Sequence, residues 1–140
     1  MAAGYSKRSL VEKLGIKSGF RVALIGAPGN YQSTLGKLPD GVKVQTKLTG
    51  SVDLIQFFCT EQRVLAAKFP ALKSALSPSS TLWVSWPKGS SGVKTDLNEN
   101  EVRKIGLDHG LVDVKVCAVD ETWSGLKFVF RLKDRPKSTS

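Results

Sequence analysis

The sequence predicts one α/β domain whose sheet is mostly parallel and ends in an antiparallel C-terminal hairpin, and three observations predict it. Apolar runs of strand length alternate with segments of helical period, the pattern of strand–helix–strand units. Toward the C-terminus that alternation gives way to two stretches with a period of two, joined by a turn-rich connection. The chain has 140 residues, the size of a single domain. A chain of this size buries roughly 68–70% of its unfolded surface around one core.

The elements follow in order. Ser9-Leu10-Val11-Glu12 fits a capping box, Leu10 and Leu14 give one apolar helical face, and Gly15 ends the helix. Phe20 to Gly26 is a continuous apolar run, as expected of a central strand covered on both sides. Ala27-Pro28-Gly29-Asn30 turns the chain, Tyr31 to Leu38 makes a short helix, and Val42 to Leu48 alternates as a more exposed strand. Val52 to Phe58 reads as a second buried strand. Thr60 is placed to cap a helix over Glu61 to Leu76, in which Pro70 opens a second segment. Ser77 to Ser80 reads as a loop and Thr81 to Trp86 as a third strong strand. Pro87 to Thr95 is the longest polar, Gly/Ser-rich stretch. Asn98 with Glu101 forms a second capping box for a helix to about Asp108, with Gly110 as its C-terminal cap. Leu111 to Val119 and Leu126 to Leu132 form the hairpin, so the domain spans 1–132 and residues 133–140 are expected to fray.

Composition narrows the function classes. Apolar residues make up 41% and charged residues 24%, which excludes disordered, fibrous and disulfide-scaffold proteins. Cys59 and Cys117 sit far apart in apolar runs, so they read as two buried, reduced thiols and not as a metal knuckle or redox pair. His109 is the only histidine, placed at a helix C-terminus where it suits the dipole, and no metal site is expected. No stretch approaches the ~20 apolar residues of a membrane span, and the N-terminus lacks a signal-peptide pattern, so a cytoplasmic protein with no membrane contact is expected.

The net charge of +9 is uneven, because residues 1–50 carry eight basic side chains against two acidic ones. That excess makes Lys7, Arg8, Lys13 and Lys17 candidates for an anionic ligand or nucleic acid. The hairpin also leaves an edge strand through which the chain could pair with itself.

Ligands of open α/β sheets sit beyond the carboxyl ends of strands where the winding direction changes. The candidate ligand-binding residues are therefore Gly26, Pro28, Gly29, Asn30 and Tyr31 after one strand, Thr60 after another, and Trp86 with Lys88 after the third. Gly89 to Thr95 has the flavour of a phosphate-binding loop, but Val93 separates Gly92 from Lys94, so it reads as a surface loop and a candidate lid. Asp120, Glu121 and Trp123 in the hairpin connection are surface candidates, with Asp120 expected to organise its own turn. Tyr31, Trp86 and Trp123 with Lys88 and Lys94 could form a stacking platform for a nucleotide. Trp83 and Trp86 lie three apart in a strand, hence on opposite faces, so at least one belongs to the core.

Leu14 to Gly26, Val52 to Ile55, Leu76 to Val84 and the closing hairpin resemble successive landmarks of class I S-adenosylmethionine-dependent methyltransferases in shortened form. Gly4-Tyr5-Ser6, Val84 to Lys88 and Leu111 to Leu126 are similar to a family of small bacterial proteins known only as a domain of unknown function. Both resemblances imply a Rossmann-like three-layer fold. The methyltransferase family carries an acidic residue near the end of its first strand and three glycines at alternate positions, where this chain has Leu24, then Gly26, Pro28 and Asn30. Its second strand ends in a carboxylate that holds the ribose, and Val42 to Thr49 contains none. The length also leaves no room for the substrate-binding additions such enzymes commonly carry. The expectation is thus a non-catalytic binding or regulatory module with no cofactor. The alternatives are a small-molecule or nucleotide-dependent enzyme, an S-adenosylmethionine methyltransferase among them, and a nucleic-acid binder.

Overall fold

The computed structural model describes residues 9–131 and residue 134. Lys7, Arg8, the segment Gly4-Tyr5-Ser6, Leu132 and the tail expected to fray, Asp134 excepted, lie outside the described residues.

Helix α1 (Leu10–Leu14) opens with the expected capping box: Ser9 Oγ accepts the Glu12 N–H, and Glu12 Oε1 accepts the Ser9 N–H at 2.9 Å. The chain then runs through β1 (Arg21–Ile25), α2 (Tyr31–Leu35), β2 (Lys43–Gln45), β3 (Val52–Phe58), α3 (Gln62–Ser74), β4 (Leu76–Pro87), α4 (Glu99–Asp108), β5 (Leu111–Ala118) and β6 (Trp123–Phe130). The six strands form one sheet in the order β2-β1-β3-β4-β6-β5. The first four are parallel, β6 runs antiparallel to β4, and β5 antiparallel to β6. The predicted fold class is the one observed.

Alternation within β3 shows how the core divides. Leu54, Gln56 and Phe58 face α1 and α2, with Val11, Leu14, Tyr31 and Trp83, whereas Ile55, Phe57 and Cys59 face α3 and α4, with Leu65, Phe69 and Phe128. The sheet is therefore buried on both sides between β1 and β4, which is why these strands read as unbroken apolar runs.

Three expectations are corrected. Pro70 lies inside an unbroken α3 and does not open a second segment. Its missing N–H costs a helical bond, but Leu65, Phe69 and Leu72 are each buried against the sheet and hold the helix through it. Glu61, not Thr60, is the N-cap of α3. Ser77 to Ser80 belongs to β4 as an irregularity: pairing jumps from Val52↔Leu76 to Leu54↔Thr81. Ser80 Oγ bridges the gap, donating to the Val52 carbonyl at 2.6 Å and accepting the Ser77 N–H at 3.0 Å. Side-chain hydroxyls replace ladder bonds there, which a reading for apolar period treats as loop.

Candidate functional site

β1 sits between β2 and β3, so the chain winds outward to β2 on one side and from β3 to β4 on the other. The carboxyl ends of β1 and β3 consequently feed loops that part from each other and open a crevice. Gly26 leaves β1 at φ 72, and a Cβ there would lie 2.8 Å from the Phe58 carbonyl oxygen, so only glycine lets the two strand ends approach this closely. Beside it lies a cavity of about 280 Å³ lined by Leu24, Gly26, Ala27, Pro28, Gly29, Tyr31, Gln32 and Thr46. That is near the lower end of the ~300–1,000 Å³ common for ligand pockets.

Tyr31 is 1% exposed and meets Phe58 edge-on, ring centroids 4.8 Å apart, and Phe58 in turn meets Trp123 edge-on at 5.1 Å. Burial pushes the Tyr31 hydroxyl well above its ordinary pKa; the nearby Gln56 amide draws it partly back without forming a bond of good geometry. Tyr31 Oη and Gln56 Oε1 are both buried without a hydrogen-bond partner among the described residues, while Gln56 Nε2 donates to Ser85 Oγ at 3.2 Å. Such unsatisfied groups are uncommon in native cores and concentrate where a ligand or water completes the site.

A second cavity, about 480 Å³, opens at the same sheet edge beyond β3 and is lined by Thr60, Glu61, Lys94, Thr95 and Asp96. Thr95 Oγ1 donates to the Thr60 carbonyl at 2.7 Å, and Asp96 Oδ1 accepts the Gln62 N–H at 2.7 Å. Glu61 holds the N-cap position of α3 without a side-chain cap bond, and the cap acceptor that Thr60 was expected to supply comes instead from Asp96. Replacing Asp96 by Ala should cost about 0.5–2 kcal/mol, the usual range for losing a helix N-cap. Urea unfolding checks this, and an unchanged midpoint would show that the carboxylate does not cap α3.

The remaining candidates fall as follows. Trp86 is 5% exposed and packs in the α3/α4-side core, so it does not face the crevice. Trp83 is buried on the opposite face, so both tryptophans of β4 serve the core. Lys88 begins the Gly/Ser-rich loop, its N–H donating to the Thr122 carbonyl at 2.8 Å. Ser91 Oγ donates back to the Lys88 carbonyl at 2.7 Å in a turn over Gly89–Ser91. Asn30 precedes α2 without a side-chain cap bond. Asp120 Oδ1 accepts the Thr122 and Trp123 N–H groups, both at 2.8 Å, organising its turn as expected, and Glu121 is exposed.

His109 Nδ1 lies 2.8 Å from the Ile105 carbonyl oxygen and its ring stacks on Phe69, which is a structural arrangement. Cys59 is buried, its thiol pushed up to about 12 by burial with the Asp96 carboxylate adding to it, and so is a poor nucleophile at neutral pH. Cys117 is only half-buried, because β5 is an edge strand. Thr46, Gln32 and Leu24 line the first cavity although sequence reading did not select them. Thr46 becomes visible only once β2 is known to neighbour β1.

Fold and crevice together define a small doubly wound α/β protein with a ligand-sized mouth at its switch point. No family model matches the chain, and no curated protein matches it. Solved structures do. An S-adenosylmethionine-dependent methyltransferase from Aquifex aeolicus is similar with a TM-score of 0.61 at 18% identity, over 85% of this chain and 86% of that one. The fibrillarin pre-rRNA processing protein of Methanococcus jannaschii is similar with a TM-score of 0.62 at 13% identity, over 82% and 68%. Magnesium protoporphyrin IX methyltransferase from Synechocystis PCC 6803, with bound SAH, gives a TM-score of 0.54 at 15% identity, over 87% and 78%.

The chain therefore has a methyltransferase-like fold. Two expectations are corrected. A non-catalytic binding or regulatory module is disfavoured, because solved structures that share this architecture include an S-adenosylmethionine-dependent methyltransferase, a magnesium protoporphyrin IX methyltransferase and a ribosomal protein L11 methylase. The length is no argument against that chemistry either, since the Aquifex methyltransferase is matched over 86% of its own chain.

Proposed function

We propose that this chain is a methyltransferase that takes S-adenosylmethionine into the cavity at the carboxyl end of β1. The observation that carries the proposal is the position of that cavity, at the reversal of winding between β1 and β3, in a fold shared with methyltransferases.

The residues present fit such a ligand in an altered way. Gly26 brings the backbone close, and Gly29 leaves open space with nothing within 4 Å of a Cβ. Thr46, just past β2, offers a neutral hydroxyl near where the family uses a carboxylate, and Gln32 offers an amide. The lining has no charged side chain, so binding rests on shape, backbone groups and neutral hydrogen bonds. Bound there, the cofactor would supply an electrophilic methyl group on a sulfonium. The larger cavity, with Thr60, Glu61, Lys94 and Thr95, opens at the same edge and is the proposed seat of the methyl acceptor. Asp96 is occupied in capping α3 and Glu61 in an ion pair with Arg63 at 3.0 Å. Catalysis by this chain is accordingly positioning and water exclusion, not proton transfer by a dedicated base. The likeness of Val84 to Lys88 and Leu111 to Leu126 to the small bacterial family supports placing the chain among those proteins.

Calorimetry and thermal shift with S-adenosylmethionine and its demethylated product test the proposal. Micromolar binding is expected, with stabilisation approaching ~2.7 kcal/mol at a hundredfold excess over Kd. Gly29→Leu should fill the cavity and abolish binding while the protein stays folded. Absence of binding at millimolar ligand would overturn the reading.

A further inference from the structure

We infer that the α1-side face of the β5–β6 hairpin, with the end of α1, is a docking surface for the phosphate backbone of a nucleic acid, contacted by Lys13, Lys17, Lys115 and Lys127.

The sheet register builds this surface from residues far apart in sequence. In β6, Leu126 and Phe128 point into the α3/α4-side core, so Lys127 between them points to the opposite face. There it stands in register with Trp83 of β4 on one side and with Lys115 of β5 on the other. Trp83 Nε1 donates to the Leu14 carbonyl at 2.9 Å, which pins the end of α1 above β4 and brings Lys13 and Lys17 to the same side. On this face Cys117 and Trp123 pack against the α1/α2 cluster, and Lys115 and Lys17 are exposed.

Among the described residues none of the four lysines forms a salt bridge. The nearest acid in β5, Asp113, is bound to Arg103 at 2.9 Å. Burial lowers the Lys127 pKa and Lys115 and Lys17 lower it further, while burial raises the Cys117 thiol against the opposing pull of Lys13 and Lys115, so the four charges act within one local region. Like charges directly opposite on paired strands are destabilising. A protein keeps such an arrangement at a stability cost, and an anionic partner relieves it.

The side-chain chemistry selects the partner. Protein interfaces are depleted in Lys, whereas this patch is built on four lysines and its one aromatic, Trp123, is engaged edge-on with Phe58. Membrane-surface binding needs an exposed apolar face, and in α1 Val11 and Leu14 are buried. Lysines are flexible point charges suited to phosphates and not to bidentate reading of bases, so the surface binds backbone without sequence preference. In the sequence, Lys7 and Arg8 immediately precede α1 and carry the same sign.

The test is fluorescence anisotropy with a labelled single-stranded RNA and a matching duplex, across 50–200 mM salt and without any methyl donor, so its outcome is separable from that of the cofactor reading. Four phosphate contacts give a slope of log K against log[salt] of about −3 on the single strand and about −3.6 on the duplex. K115Q/K127Q should lower the magnitude of that slope by about 1.4 on the single strand and about 1.8 on the duplex, and leave a melting temperature equal to or above the parent's. K68Q/K104Q, which removes the same charge from the helices of the opposite face, should leave the slope unchanged. Equal losses in both variants, no binding at low salt, or stronger competition by polyaspartate or phosphatidylserine vesicles than by unlabelled RNA would overturn the inference.

Discussion

Trp83→Ala is expected to destabilise the protein by about 3–5 kcal/mol, the usual range for truncating a fully buried tryptophan. The indole is 0% exposed and is among the largest side chains sealed in the core. It carries two functions at once. Its rings fill the space between β4 and α1, with Gly125 opposite leaving room, since a Cβ at Gly125 would lie 3.1 Å from Trp83 Cε3. Its Nε1 donates to the carbonyl of Leu14, one of the carbonyls that the end of α1 leaves without a helical partner. Trp83→Phe keeps much of the apolar volume but removes that bond, so its cost should be smaller, about 1–3 kcal/mol. Chemical denaturation of both variants checks the order, and a Trp83→Phe variant as unstable as Trp83→Ala would show that the hydrogen bond, not the volume, dominates.

Gly106→Ala is expected to destabilise despite the higher helix propensity of alanine. Glycine inside α4 costs helix stability of roughly 1 kcal/mol relative to alanine, so an exposed site would gain from the change. Here the three atoms nearest a new Cβ all belong to the Phe128 ring, the Cδ1 at 2.8 Å and two others closer still. That ring cannot yield easily, because Phe128 is 0% exposed and meets Phe69 edge-on at 6.0 Å. Overpacking of this kind costs typically about 1–3 kcal/mol, and a net loss of stability with an unchanged denaturant m-value is the expected result. A raised melting temperature would show that α4 can slide away from the sheet.

Much of the fold was legible because its determinants are local. The capping box at Ser9 and Glu12, the Asn98 side chain accepting the Glu101 N–H at 2.9 Å, and the apolar runs of β1, β3 and β4 each act within a few residues. Gly26 ends β1 where only a backbone free of Cβ passes that close to a neighbouring strand. The crevice was less legible. Trp86 looked like a mouth residue because it ends a strand, yet its face of the sheet is covered by α3 and α4.

By itself the sequence determined the secondary elements, their parallel-then-hairpin order and a basic excess near the N-terminus, all encoded in period and spacing along the chain. Only the tertiary structure decided which distant residues meet. It brought Thr46 to the cavity beside Gly26, set Asp96 on the N-terminus of α3 across 34 residues, and stood Lys115 opposite Lys127. Strand order, register and the side on which each helix packs arise from the joint burial of apolar faces far apart in the chain, and no local pattern carries that information.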